Sequence, residues 1–228
     1  MSKSHIKRPA ALVKAQPADR LSQPPSTDRR QRRAVETRMR LFRCALQLFS
    51  ERGYSNVTVE DITEAADVGK GTFFNYFESK DHVLGVLAEI QLGKLKEAVA
   101  HASQDNASIH SVLRRLVLRL AEEPGRSPGL ARAVISSFLA SEGVRSLIAG
   151  FMHEGCGMIG EVIAAGQARS EIDPNLKKEQ VALQLQQTFM GTVLFWSLHG
   201  EPALATRVEK SFQHFWRAIA LSGKKQER

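Results

Sequence analysis

Three residues, Asp67-Val68-Gly69, separate two short segments of helical apolar spacing, Val59 to Ala66 and Lys70 to about Phe77. A break of that length admits only a tight turn. Neither segment reaches the roughly 12–15 residues below which an isolated helix is marginal in water, so both must borrow stability from a third element. Ile62, Ala66, Val68 and Phe73 stand where such a pair has to be apolar. The turn calls for a residue that tolerates a left-handed backbone, which Asp67 does less readily than glycine. Thr58 is placed to cap the first segment, and Glu60 and Asp61 favour the positive end of its dipole.

The flanking sequence supplies the third element. From about Arg30, Leu41, Phe42, Ala45, Leu46, Leu48 and Phe49 recur at three- and four-residue spacings to make one apolar face, ending at Gly53. Ser79 opens a long connector carrying Val83, Leu84, Val86, Leu87 and Ile90. Further helices are expected near Ser108 to Glu122, Pro128 to Ser141, Gly143 to Ala168, Leu176 to His199 and Pro202 to Leu221, divided by breaks such as Glu123-Pro124-Gly125. No stretch alternates cleanly at period two. The expected fold is therefore all-α: a disordered basic tail over residues 1–29, a three-helix helix-turn-helix domain over 30–78, and a helical domain over 79–228.

Of the formal net charge of +8, seven units lie in Met1 to Arg33, where nine lysines and arginines face Asp19 and Asp28. Such an arm ahead of a near-neutral body suits a polyanion, nucleic acid before a membrane surface, although a solvated tail or an Arg-rich transit peptide shares the composition. Arg29-Arg30-Gln31-Arg32-Arg33 stands where an arm reaches a DNA backbone or minor groove. Cys44 and Cys156 lie far apart with no second Cys or paired His at metal-ligand spacing, which implies neither a disulfide framework nor a metal. No apolar run approaches the roughly 20 residues of a membrane span, and no signal-type segment opens the chain, so the expectation is a cytoplasmic protein without a membrane partner. His153-Glu154 has Gly157 where a zinc-protease helix carries its second His, and no phosphate-binding glycine loop or nucleophile elbow appears. Neither catalytic residues nor a cofactor are expected.

Two short helices joined by a three-residue turn form a unit whose second helix can lie in a DNA major groove while the first crosses the backbone. That pattern alone fits a DNA reader and a merely packed helix pair equally well. The stretch from Leu41 to Leu84 adds the runs Leu41-Phe42-Arg43-Cys44-Ala45-Leu46-Gln47-Leu48-Phe49, Glu51-Arg52-Gly53-Tyr54 and Thr58-Val59-Glu60-Asp61-Ile62. It continues into Ala65-Ala66-Asp67-Val68-Gly69-Lys70-Gly71-Thr72-Phe73-Phe74-Asn75-Tyr76-Phe77-Glu78-Ser79-Lys80. In these runs it resembles the tetracycline-repressor (TetR) family, the last run looking like the family's recognition-helix signature.

The resemblance implies a regulator that binds double-stranded DNA. It implies that Thr58 and Tyr76 donate hydroxyl hydrogen bonds to phosphates and that Lys80 adds a charged one. It places Lys70, Gly71, Thr72 and Phe74 against base edges, and Asn75 against a phosphate or a base. The side chains agree chemically: lysine reaches guanine O6 and N7, while Thr72 and Phe74 offer apolar contact to thymine methyls. Three positions depart from the pattern, with Asp67 for the usual Gly, Thr63 for a small Ala and Phe74 for Tyr.

Past about Ala88 the likeness reduces to helix number and order. The last two helices carry broad apolar faces, with Leu183, Leu194, Phe195 and Trp196, then Phe212, Phe215 and Trp216. There the resemblance implies a homodimer through the last two helices and hence a palindromic operator. An unknown small-molecule effector would meet Phe138, Phe151, Met152, Cys156, Gln187, Met190 and Trp196, although residues of these kinds also simply fill cores. Other readings are a helical adaptor whose head no longer binds DNA, and a redox-sensing regulator that uses Cys156 or Cys44 in place of a ligand.

Overall fold

In the computed structural model, residues 26–104 and 107–221 are described. The expected disordered tail lies outside them up to residue 25. The helices are α1 (Ser26–Arg52), α2 (Val59–Ala65), α3 (Lys70–Phe74), α4 (Lys80–Ala102), α5 (Ile109–Leu120), α6 (Pro128–Ala140), α7 (Glu142–Ala168), α8 (Lys178–His199) and α9 (Leu204–Ile219). No strand occurs among the described residues; an isolated bridge joins Ile172 and Ala220. The all-α expectation holds, with two shifts at helix ends. The first helix begins at Ser26, inside the segment expected as tail, and its early turns carry exposed Arg29, Arg30, Arg32 and Arg33. The third stops at Phe74, because Asn75 and Tyr76 close it with turns back to Gly71 and Phe73 before the chain extends into the cap of α4.

The helix starts are written in serine and threonine. Thr58, Ser79, Ser108, Ser127 and Ser141 each accept a backbone N–H from three residues on, at the starts of α2, α4, α5, α6 and α7. A cap of this kind contributes about 1 kcal/mol. From Thr37 onward the chain forms one compact unit with two apolar clusters. One cluster packs Leu41, Phe49, Ile62, Phe73, Phe77 and the first half of α4 with Leu130 and Val144, so the short helices gain the support they need. The other gathers the second half of α4 with α5, α7, α8 and α9 around Leu113, Ile163 and Phe212.

Helix α7 is the one helix among the described residues long and apolar enough to cross a membrane. The expectation that no run has that character overlooked how the Ile, Val, Leu, Phe, Met and Ala residues of α7 outweigh its few charges. Its Ile159, Val162 and Ile163 are buried in the second cluster, while His153, Glu154 and Glu161 are exposed on other faces.

The turn between α2 and α3 forms with Asp67 at φ 49°, in the left-handed region. That conformation costs a non-glycine residue about 1–2 kcal/mol. Asp67→Gly should therefore leave stability unchanged or raise it by up to about 1 kcal/mol. Asp67→Val, with a branched Cβ, should lower stability by about 1–2 kcal/mol or more. Denaturant unfolding of the two variants checks both signs.

Candidate nucleic-acid interface and effector cavity

Helix α3 has one buried and one open face. Phe73 and Phe77 are fully buried, stacked on each other with ring centres 5.3 Å apart. Lys70, Gly71, Phe74 and Asn75, two adjacent pairs four residues apart, are all exposed, Phe74 by 49%. An exposed phenylalanine of that size needs a reason, and a groove-facing position is one. Thr72 and Tyr76 are half-buried between the faces, Tyr76 packing against the apolar cluster.

The other expected phosphate contacts are placed differently. Thr58 forms a capping box: its hydroxyl accepts from Asp61 N at 3.1 Å and donates to Asp61 Oδ2 at 2.6 Å, while its own N–H donates to the same oxygen at 2.7 Å. The Thr58 hydroxyl, then its backbone N–H, hold the Asp61 carboxyl below its usual range. Lys80 turns inward, donating to the carbonyls of Tyr54 and Val57 at 3.0 Å each and lying over the Tyr54 ring. Burial lowers its pKa. Lys70 pairs with Glu60 across the turn, and this bond lowers the Glu60 pKa. Both partners are more than half exposed, and such pairs contribute about 0–1 kcal/mol. Lys70 can leave Glu60 for a base edge at little cost.

Two of the departures from the family pattern are absorbed locally. Thr63 is buried and donates its hydroxyl to Glu60 O at 3.0 Å, so the extra oxygen is satisfied. Asp67 occupies the left-handed turn as a glycine would. Cys44 donates to Ala65 O at 3.4 Å, and Cys156 packs against the second cluster.

The head is keyed to the body at two helix starts. Ser127, which caps α6, lies 2.6 Å from the Ser50 hydroxyl of α1. Ser141, which caps α7, donates to Asp81 Oδ2 at 2.7 Å, and the Tyr54 hydroxyl donates to Oδ1 of the same carboxylate. Contact at α6 is so close that a Cβ on Gly129 would stand 2.4 Å from Ser50 O.

Behind this junction a cavity of about 190 Å³ opens between α4, α6, α7 and α8. A water needs only about 10–15 Å³ of such space, so it has the size for an organic molecule. Of the expected ligand residues, Phe138, Phe151, Met152 and Met190 line it together. Cys156, Gln187 and Trp196 do not. Trp196 is buried in the core with its indole N–H on Gly200 O at 2.9 Å, and Gln187 is exposed. The sequence reading missed Gln91, Gln186 and the α4 wall. A signal existed: Gln91 interrupts the apolar stripe Leu84, Leu87, Ala88, Leu92, Leu95.

The expected dimer face also divides. Phe212 and Phe215 of α9 and Leu185, Val193 and Trp196 of α8 are buried within the subunit. Leu183, Leu194, Phe195 and Leu198 of α8 remain exposed, by 42–62%.

Taken together, these features define a helix-turn-helix protein whose exposed reading helix is backed by a helical domain with its own apolar cavity. Residues 41–87 match the model for bacterial regulatory proteins of the tetR family. The match covers the segment from α1 into α4, which is therefore similar to the N-terminal part of that family. The transcriptional repressor DhaR of Mycobacterium sp. strain GP1 is 40% identical over 77 residues, 34% of this chain and 38% of that protein. Matches to the first curated relatives span 24–47% of those proteins' lengths. The fatty acid degradation regulator FadR of Bacillus halodurans shares the fold, with a TM-score of 0.68 at 20% identity over 84% of this chain and 97% of that one. Thermus thermophilus FadR, a TetR-family repressor solved in complex with lauroyl-CoA, aligns at 26% identity with a TM-score of 0.60, covering 84% and 99% of the two chains.

Gly129→Ala should cost about 1–3 kcal/mol, the usual penalty of overpacking, because the clash is with backbone. Gly150→Ala, where a Cβ meets nothing within 4 Å, should be neutral or stabilising by up to about 1 kcal/mol. Thermal unfolding of the pair separates the close approach at α6 from helix propensity.

Proposed function

We propose that this chain is a repressor of transcription that reads a palindromic site in duplex DNA with two copies of α3 in a two-fold dimer, and releases it when a small organic molecule fills the cavity. The observation that carries the reading is the open face of Lys70, Gly71, Phe74 and Asn75 on a helix fixed from behind by Phe73 and Phe77. Lys70 supplies donors for guanine O6 and N7, and Phe74 with Thr72 supplies apolar contact for thymine methyls. Tyr76 and Asn75 are the candidates for phosphates. Lys80 acts by holding the turn before α2 in place, and Thr58 by fixing the start of α2 against the backbone.

The two heads of such a dimer must reach major-groove faces about 34–36 Å apart or a multiple of it. A ligand that pushes α6 or α7 outward disturbs the contacts through Ser50, Asp81 and Tyr54, and the α4 lever carries that change to the head spacing. Exposed Leu183, Leu194, Phe195 and Leu198 form the apolar centre of the dimer face, with the polar outer side of α9 beside it.

Selection of bound genomic fragments by the purified full chain should yield one palindromic sequence; recovery of no preferred sequence would overturn the assignment. On the selected operator, Lys70→Ala should lose about 1–3 kcal/mol and relax the preference at a single base pair in each half-site. The double variant Leu194→Glu, Phe195→Glu should sediment as a monomer and lose operator binding while keeping its helical circular dichroism.

A further inference from the structure

The cavity has a wall of nearly uniform character. Among the side chains that line it, Gln91 and Gln186 are the polar ones and none is charged. Gln186 has its Nε2 on Met152 O at 3.0 Å, and its oxygen is not among the buried atoms left without a partner. Gln91 is half spent: its Nε2 donates to Leu120 O at 3.3 Å and to Glu123 Oε2 at 3.2 Å. Both of those partners are acceptors only, which fixes the amide's orientation and leaves Oε1 as the free end. That oxygen belongs to a cavity-lining side chain, is itself closed to water and has no hydrogen-bond partner among the described residues, so a ligand reaches it through a small shift of the side chains around it. A buried acceptor left unmet carries a desolvation cost that a bound donor removes.

The cation that shares Glu123 with Gln91 is not available to a ligand. Lys94, one helical turn further along α4, is 7% exposed, and its ammonium has three N–H donors. They face three acceptors: Arg119 O, Glu122 Oε2 at 3.1 Å and Glu123 Oε2. A carboxylate or phosphate brought to the Gln91 oxygen would meet an acceptor whose amide is bonded to the Glu123 carboxylate, and no charged side chain lines the cavity to offset it. An uncharged donor would meet an acceptor made more negative by that same glutamate.

We infer that the cavity selects uncharged, largely apolar molecules bearing a hydroxyl or N–H donor, which binds Gln91 Oε1, and that it discriminates against anions of the same shape. The inference rests on the effector reading given above and specifies its ligand class. Gln91 would thus be the specificity-determining residue of the site, reading a donor by the cost of leaving its own oxygen unpaired.

Three probes with one apolar body test it: 4-hexylphenol, which donates; 4-hexylanisole, which does not; and 4-hexylbenzoate, an anion at neutral pH. Calorimetric titration of the full chain should give the phenol an affinity roughly ten-fold or more above the other two, as one buried hydrogen bond predicts. In Gln91→Leu the phenol should fall to the level of the anisole, with the anisole unchanged or tighter. Equal binding of phenol and anisole by the wild-type chain, tightest binding of the benzoate, or binding of none of the three would overturn the inference without recourse to the variant. Release of the selected operator is read separately by fluorescence anisotropy. The predicted ranking of affinities with no release would sustain the ligand class and overturn the effector reading, whereas release that ignores the donor would do the reverse.

Discussion

Asp81 holds two hydroxyls from different parts of the molecule on one carboxylate, Tyr54 from the head and Ser141 from the start of α7. Ser127 makes a parallel arrangement at the start of α6 with Ser50. In both, the hydroxyl that caps a cavity-lining helix also bonds to a residue of α1 or α4, so one oxygen serves helix formation and, on the proposed function, communication with the head. Hydrogen bonds to charged groups contribute about 1.5–3 kcal/mol and neutral ones about 0.5–1.5. Those are the sizes of ordinary allosteric coupling, about 1–3 kcal/mol. The junction is strong enough to set the head's position and weak enough for a ligand to disturb.

Much of this architecture is legible in the sequence because it is local. The caps at Thr58, Ser79, Ser108, Ser127 and Ser141, the break at Asp67 and the apolar stripes of α1 and α4 each follow from a few neighbouring residues. What stayed hidden depends on partners distant in the chain. Phe212, Phe215 and Trp196 look like interface residues by type and spacing, yet they are spent inside the subunit because α9 packs on α5 and α8. Four of seven ligand candidates converge on the cavity; Cys156, Gln187 and Trp196 sit on the wrong faces of α7 and α8, which type alone does not reveal.

The reading face illustrates a second limit. A sequence shows which donors exist and is silent on which are already committed. Lys80 and Lys70 carry the same ammonium, but Lys80 is drawn in by two backbone carbonyls and an aromatic ring, while Lys70 rests on an exposed glutamate. Removing a lysine from two carbonyls leaves buried acceptors unmet, whereas removing one from a surface carboxylate exchanges one solvated partner for another. Of the two, the second lysine is the one whose present partner is solvent-exposed, which is why the proposed function gives it the base contact.

The magnitudes also show what the proposed switch would gain from working in pairs. Moving a population from 1:99 to 99:1 requires about 5.5 kcal/mol of differential binding, more than one junction of this size carries. A symmetric dimer in which both heads must dock at once adds the coupling of two subunits, about 2–6 kcal/mol in all, which brings near-complete release within reach. An apolar cavity whose lining holds one buried unmet acceptor among the described residues suits that demand: on the proposed reading the differential binding free energy would come mainly from buried hydrocarbon, and the acceptor would decide which hydrocarbon supplies it.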